Sequence, residues 1–311
     1  MFKRFIIASE ISPDSLNVLT CLRGLRKLGA EECLLLQCIL PQNQTVALLS
    51  AVILEENLRQ QQELLVEQGF RVETRKVTGN IGKEVNRIAV EEDFSVIVAG
   101  VPEFTMMGEV FYGGIAREVI QLARKPVLLI RITESPDEAI SCAAGDYSLF
   151  GHILFPTDFS ENAGIAFEYV KKMVADGARK VTLAHVQDQA RLNPHLAYRL
   201  EKYNVIDTPK EVTEAKTIAA QRLEKYNLID NKRLEDMKKE LQENGDAEVD
   251  ICMLYGSPAA EILKKVRELK IPLVVMGSQG RGFVKELFLG SVSNNIARHS
   301  SASVLLIPAK R

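Results

Sequence analysis

Short runs of apolar residues alternate with longer amphipathic stretches along the whole chain. Runs such as residues 5–8, 96–100 and 271–276 are almost continuously apolar. Runs of this kind are typical of parallel strands buried on both faces, and the intervening stretches carry apolar residues at helical spacing. The pattern therefore predicts an α/β protein whose parallel sheet has helices on both faces.

The same pattern occurs twice in the chain. Most of the two copies align at an offset of 177 residues, whereas the offset near their starts is 148. The difference of 29 residues indicates an insertion in the second copy, between His185 and Gly256. The chain is therefore predicted to be an internal tandem duplication, with a five-stranded parallel sheet in each copy. The matched segments are residues 5–12 with 153–160, 96–100 with 273–277, and 127–130 with 304–307.

The duplication sets the expected domain organisation. We predict domains at residues 1–132 and 150–311, joined by a polar linker at 133–149. The insertion lies within residues 189–245, which are dense in Glu, Lys and Arg. This segment is predicted to form a long amphipathic helix that packs on its own domain, the alternative being a partner-binding arm. Its apolar positions at helical spacing are Leu223, Tyr226, Leu234, Met237 and Leu241.

A glycine-rich segment follows the apolar run of the second copy. Its spacing is G-x2-G-x9-G-[ST], met by Gly277, Gly280, Gly290 and Ser291, with a helix predicted to begin near Gly290. Glycine lets the backbone approach a phosphate, the N–H groups of a first helical turn favour an anion, and Ser291 and Ser293 add hydroxyl donors. The segment therefore predicts a nucleotide-phosphate cradle, the alternative being a surface turn. It matches neither the dinucleotide nor the Walker fingerprint.

Composition mainly excludes classes of function. The net charge is −2 with acids and bases interspersed, so we expect no nucleic-acid partner. Apolar stretches are too short to span a bilayer, and residues 1–5 lack the apolar region of a signal peptide. The five cysteines are scattered without a C-x-x-C pair, which favours reduced thiols and a cytoplasmic protein.

The glycine spacing, the Pro-Thr-Asp-Phe-Ser element at residues 156–160 and the duplication together make this chain resemble the universal stress protein family. It looks like a tandem member with two such domains over nearly the whole chain. The resemblance implies a Rossmann-like, adenine nucleotide alpha hydrolase-like fold in each domain. It also implies that the second domain binds ATP, ADP or AMP and acts as a stress-response sensor or adaptor.

The resemblance also implies a set of contact residues in the second domain. Asp158 would lie beside the base and ribose, and it is the candidate Mg²⁺ ligand next to the loop. Val186 and Met276 would form an apolar slot for the purine. Arg281 would supply positive charge, or it is simply an exposed side chain. The full set is Pro156, Thr157, Asp158, Val186, Met276, Gly277, Gly280, Arg281, Gly290, Ser291, Val292 and Ser293.

The first copy departs from this pattern. Gly100 and Gly113 keep the correct separation, but Glu103 replaces the middle glycine and Gly114 replaces the serine. A carboxylate beside a polyphosphate is repulsive, and the acidic position after the first strand is Glu10. We therefore expect the first domain to be a structural or regulatory partner that does not bind nucleotide in the same way.

The sequence contains no convincing catalytic residue. The four histidines lack metal-ligand spacing, no G-x-S-x-G elbow is present, and the glycine loop lacks the Walker lysine. His185 is interpreted as a strand-end residue near the site. We therefore expect a binding protein, the alternative being an enzyme that slowly hydrolyses ATP or transfers a group from it.

The closing strand of each copy, at residues 127–132 and 304–307, would be an exposed sheet edge in an isolated domain. The family typically pairs these strands between domains. We therefore expect an intramolecular pseudo-twofold pair, and a further homodimer of chains is compatible with the sequence.

Overall fold

The computed structural model describes residues 1–9, 13–39, 44–102, 114–133, 141–142, 149–188, 209–280 and 289–309. Each half is a run of alternating strands and helices. The first half consists of β1 (Arg4–Ser9), α1 (Pro13–Thr20), a 3₁₀ helix (Cys21–Leu28), β2 (Glu32–Ile39), α2 (Gln44–Glu67), β3 (Arg71–Thr78), α3 (Ile81–Glu91), β4 (Val96–Pro102), α4 (Gly114–Leu122) and β5 (Val127–Thr133).

A two-residue strand, β6 (Ser141–Cys142), follows the first half and pairs with β5. The second half repeats the order of the first with a longer third helix. It consists of β7 (His152–Pro156), α5 (Glu161–Ala175), β8 (Lys180–Gln187), α6 (Pro209–Asn244), β9 (Glu248–Tyr255), α7 (Pro258–Glu268), β10 (Leu273–Gly277), α8 (Ser291–His299) and β11 (Ser303–Ile307).

All the main strands belong to one continuous sheet in the order β3-β2-β1-β4-β5-β11-β10-β7-β8-β9. Strands are parallel within each half, and β5 and β11 pair antiparallel at the centre. Leu128 pairs with Leu305, its equivalent at an offset of 177 residues, so a pseudo-twofold axis passes through this pair. The fold class and the intramolecular pairing predicted from the sequence are confirmed.

Helices cover both faces of the sheet, so each strand contributes to two hydrophobic cores. In β10, Leu273 and Val275 enter the core formed with α1, α2, α5 and α6. Val274 and Met276 enter the core formed with α3, α4, α7 and α8. This two-sided burial explains why the strands read as continuous apolar runs.

The insertion contains the predicted helix, and that helix packs on its own domain. Leu234 and Leu241 of α6 are fully buried, and Met237 packs against the same core. Helix α6 contacts α5, β8 and β9. The prediction that this helix packs on its own domain is therefore confirmed, whereas residues 189–208 and the side chain of Leu223 lie outside the described residues.

Two local expectations differ from the structure. The helix predicted over residues 15–28 is divided into α1 and a 3₁₀ helix, which ends where Gly29 adopts φ +79°. Cys21 is disulfide-bonded, so the expectation of reduced thiols is wrong for this residue. Cys33 and Cys252 are free, and burial raises the pKa of both thiols.

None of the described helices is long and apolar enough to cross a bilayer.

Candidate functional site

A cavity of about 880 Å³ opens at the carboxyl ends of β7, β8 and β10. Strand ends at a change of winding direction are the usual ligand position in open α/β sheets. Helices α6, α7 and α8 complete its walls, with Pro258 and Ile262 contributed by α7. The volume falls within the range of about 300–1,000 Å³ that is common for small-molecule sites.

The cavity brings together the sequence-predicted site residues that the structure describes. Arg281 lies outside the described residues, and a binding role for each of the others remains a prediction. The residues that line the cavity are Pro156, Thr157, Asp158, Val186, Met276, Gly277, Gly280, Gly290, Ser291, Val292 and Ser293.

The beginning of α8 forms one wall of the cavity. The N–H of Gly290 donates to the carbonyl of Ser278 at 2.9 Å, so this hydrogen bond joins the two ends of the glycine segment. The N–H of Asn294 donates to the carbonyl of Gly290 at 2.9 Å, so Ser291, Val292 and Ser293 provide the N–H groups of the first turn. This geometry, with the helix dipole, favours an anion.

Two glycines of the segment lie close to α5 and to the turn before it. A Cβ on Gly277 would lie 2.7 Å from Nδ2 of Asn162, and a Cβ on Gly280 would lie 2.5 Å from Oδ2 of Asp158. The Asn162 amide donates to the carbonyl of Gln279 at 3.1 Å. The glycines therefore let the loop lie against the beginning of α5, which places Asp158 next to the loop.

Ser291 and Ser293 differ in their surroundings. The Ser293 hydroxyl is buried and donates to the carbonyl of Gly277 at 3.0 Å, so it stabilises the loop. Ser291 is exposed. The expectation that both hydroxyls are donors to a ligand therefore fits Ser291 better than Ser293.

The turn between β7 and α5 holds Asp158 through local hydrogen bonds. Thr157 Oγ1 accepts from the N–H of Phe159, and Asp158 Oδ1 accepts from the N–H of Ser160, both at 3.0 Å. Ser160 in turn caps α5 by accepting from the N–H of Ala163 at 3.2 Å. Phe159 adopts φ +58°, a left-handed conformation that is uncommon for a non-glycine residue.

A buried polar cluster of His185, Gln187 and Asp230 lies at the α6 side of the cavity. His185 Nδ1 lies 2.7 Å from the carbonyl oxygen of Thr157, and its Nε2 lies 3.4 Å from Oδ2 of Asp230. Gln187 Nε2 also donates to Asp230 Oδ2, at 3.4 Å. All three residues line the cavity and are buried.

The position of His185 near the site agrees with the sequence-based prediction, whereas Gln187 and Asp230 were not predicted. Strand periodicity puts Gln187 on the same face of β8 as His185. Asp230 gave no such signal, because its position depends on how α6 packs across the sheet. Other lining residues that were not predicted are Ala163, Ala184, Asp188, Tyr226, Pro258, Ile262 and Gln279.

The equivalent strand end of the first half is also closely packed. A Cβ on Gly100 would collide with the side chain of Val18, because α1 packs directly on the end of β4. Helices α3 and α4 also approach closely, since Gly82 has no room for a Cβ beside Glu118. Residues 103–113, which include Glu103 and Gly113, lie outside the described residues.

Comparison with known proteins agrees with the fold. Universal stress protein MJ0577 of Methanocaldococcus jannaschii is 33% identical over 162 residues, covering 52% of this chain and 97% of that protein. Universal stress protein YxiE of Bacillus subtilis is 37% identical over 76 residues, covering 24% of this chain and 51% of that protein.

A solved structure matches nearly the whole molecule. It is a universal stress protein from Archaeoglobus fulgidus, with a TM-score of 0.66 at 21% identity, covering 98% of this chain and 96% of that one. The model of the universal stress protein family matches residues 1–131 and again residues 149–308. The chain therefore belongs to the universal stress protein family and carries two such domains in tandem.

Proposed function

We propose that this chain binds one adenosine nucleotide in the cavity of its second half and acts as a sensor or adaptor. The observation that carries the proposal is the convergence of the glycine segment, the first turn of α8 and Asp158 on one cavity. Because sensing requires unequal affinity for two states, the bound nucleotide would stabilise one conformation or one partner interface.

The chemistry of the walls suggests how the nucleotide would lie. The phosphates fit the first turn of α8, where the N–H groups of Ser291 and Val292 favour negative charge. Val186, Ile262 and Met276 continue the apolar core on the α7 side and offer a surface for a purine. Asp158 is then placed to accept hydrogen bonds from ribose hydroxyls.

A Mg²⁺ ion would depend on the phosphates for most of its ligands. Among the described residues, no group of three or more His, Cys, Asp or Glu side chains is arranged to hold a metal ion. Nucleotide-bound Mg²⁺ commonly uses one or two carboxylates with phosphate oxygens and water. Asp158 is the candidate carboxylate, so metal would bind with the nucleotide rather than before it.

The first test of this proposal is binding stoichiometry. Isothermal titration of the purified chain with ATP, ADP and AMP, with and without Mg²⁺, should give about one site per chain. Asp158→Ala should weaken binding, whereas Asp236→Ala, an exposed position on α6, should not. A stoichiometry near two would contradict the assignment of the site to one half, and no binding would overturn the proposal.

Slow ATP hydrolysis or group transfer is the alternative. It is favoured by the position of Asp158 beside the loop, where a metal-bound phosphate would lie. Single-turnover ATP loss should be compared between the wild type and Asp158→Ala. Protein-dependent turnover that disappears in the variant would support the enzyme, and the absence of turnover would support a binding protein.

Cytoplasmic location and a homodimer of whole chains stay predictions. A cytoplasmic location fits an adenosine nucleotide as ligand, although the disulfide at Cys21 removes the support expected from reduced thiols. Size-exclusion chromatography with light scattering would test the homodimer by giving the mass of the particle in solution.

A further inference from the structure

His185 links helix α6 to the turn that carries Asp158. Its Nδ1 lies 2.7 Å from the carbonyl oxygen of Thr157, and its Nε2 lies 3.4 Å from Oδ2 of Asp230. The side chains of His185 and Asp230 are 8% and 10% exposed. One imidazole ring therefore spans from a residue of the long helix to the residue immediately before Asp158.

The partners of the ring determine where its protons lie. A carbonyl oxygen only accepts, so Nδ1 must carry a hydrogen that it donates to Thr157. A neutral ring then has a lone pair on Nε2, which would face a carboxylate oxygen of Asp230 without a hydrogen between them. The contact is favourable only when a proton lies between Nε2 and Oδ2.

Neighbouring groups hold the pair in place. Gln187 Nε2 donates to Asp230 Oδ2, and a guanidinium nitrogen of Arg233 lies 3.4 Å from Oδ1 of Asp230. The ring of Phe159 contacts the imidazole at 4.6 Å between centroids, and the Arg233 guanidinium lies 5.2 Å from the centre of the same Phe159 ring. Phe159 is thereby packed between α6 and β8 in its left-handed conformation.

We propose that Asp230 and His185 are positioning residues that set the affinity for the nucleotide by fixing the Thr157–Asp158 segment. This role rests on the proposed function, because it concerns the same cavity. Asp230 needs no contact with the ligand, since it acts through the imidazole and the Thr157 carbonyl. Helix α6 and the nucleotide are consequently coupled, so a change at one alters the other by the same free energy.

Two substitutions of Asp230 separate positioning from general packing. In Asp230→Asn, the side-chain amide can donate to the lone pair of a neutral ring, which restores the contact without the shared proton. Asp230→Ala removes the contact altogether. Asp236→Asn, at an exposed position of the same helix, is the matched control.

The test combines nucleotide titration with NMR of the ring nitrogens. Affinity for AMP in Asp230→Asn should stay within about twofold of the wild type, because the amide restores a hydrogen bond to Nε2. Asp230→Ala should bind AMP about fivefold more weakly than the wild type, which is the effect of losing one hydrogen bond. Asp236→Asn should follow the wild type.

The NMR measurement on ligand-free protein should show a hydrogen on Nδ1 of His185 in the wild type and in Asp230→Asn, as the Thr157 carbonyl requires. Equal affinity in the wild type, Asp230→Ala and Asp230→Asn would overturn the positioning role. If no protein binds AMP, ADP or ATP, the proposed function fails and this role with it. Binding that is indifferent to Asp230 would overturn the positioning role alone.

Discussion

The three glycines of the candidate site serve different physical purposes. A Cβ on Gly277 would approach Asn162, including its backbone carbonyl carbon at 3.2 Å, and this backbone cannot rotate away. A Cβ on Gly280 would meet the end of the Asp158 side chain. Gly290 has only ordinary contacts, the nearest at 3.6 Å, and its φ of −65° suits any residue.

Gly277→Ala is therefore expected to destabilise the fold by about 1–3 kcal/mol, as overpacking of a tight site does. Gly290→Ala is the comparison variant: its Cβ makes no close contact, and because alanine is a poorer N-cap residue than glycine its expected loss is about 1 kcal/mol or less. Urea denaturation of both variants checks this difference. Equal midpoints for the two would mean that the loop moves away from α5 easily.

Gly280→Ala should affect ligand binding more than stability. The new Cβ displaces the Asp158 carboxylate, which can rotate, so the free energy of unfolding should change by less than about 1 kcal/mol. Nucleotide affinity should fall by about tenfold, equivalent to the loss of one charge-assisted hydrogen bond. Calorimetric titration beside a denaturation curve measures both, and unchanged affinity would remove Asp158 from the list of ligand contacts.

At the scale of elements, periodicity was sufficient for the strands and for α6, because burial on defined faces leaves a mark in the sequence. The glycine segment was also readable, since its spacing combines a strand end with a helix start. The role of Asp230 could not be predicted from the sequence, because an acidic residue in a charge-rich helix cannot be distinguished by pattern from its solvent-exposed neighbours. Likewise the change from α1 to a 3₁₀ helix at Cys21 depends on tertiary packing that no periodic pattern records.

Helix α6 should be a stabilising element of the second half and not an appended arm. Leu241→Ala removes a fully buried side chain and should lower the free energy of unfolding by about 2–5 kcal/mol. Leu228→Ala, at a position 68% exposed on the same helix, should change it by less than about 0.5 kcal/mol. Similar midpoints in denaturation would indicate that α6 detaches from the sheet before the core unfolds.

At the scale of the whole molecule, the halves are joined by more than the β5–β11 strand pair. The N–H of Arg131 donates to Ser303 Oγ at 3.2 Å, and its guanidinium donates to the carbonyls of Ala297 and Arg298. A cation at the carboxyl end of α8 also interacts favourably with the helix dipole. The position equivalent to Arg131 in the second half is Pro308, so this junction is asymmetric.

Arg131→Met should weaken the junction, because the carbonyls at the end of α8 lose a buried charged donor. The expected loss is about 2–4 kcal/mol, and the two halves should then unfold in separable steps. Arg124→Met, at an exposed position, is the control and should leave one transition. Calorimetry with a spectroscopic probe in each half distinguishes these outcomes, and coincident transitions in Arg131→Met would show that the strand pair alone couples the halves.

Two partly buried histidines, His299 at this junction and His152 at the start of β7, should make the stability of the molecule sensitive to acid. Burial first, and then the nearby charges of Arg298 and Arg131, hold the pKa of His299 below its ordinary value. Burial and Lys180 lower the pKa of His152 as well. In both cases the unfolded chain binds a proton more readily than the native protein does, so the free energy of unfolding rises with pH in this range.

The contribution of these two histidines to the free energy of unfolding is therefore expected to be fully present above about pH 7. It should decline as the pH falls through about 6.5, where histidine in the unfolded chain takes up its proton. The decline continues until the lowered native pKa values are reached.

His299→Gln and His152→Gln should each reduce the slope of unfolding free energy against pH, whatever their effect on its absolute value. Urea titrations between about pH 5.5 and about pH 8, above the main range of carboxylate titration, measure that slope. An unchanged slope in both variants would assign the acid sensitivity to other groups. A reduced slope in Arg131→Met would show that the charge at the junction reaches His299.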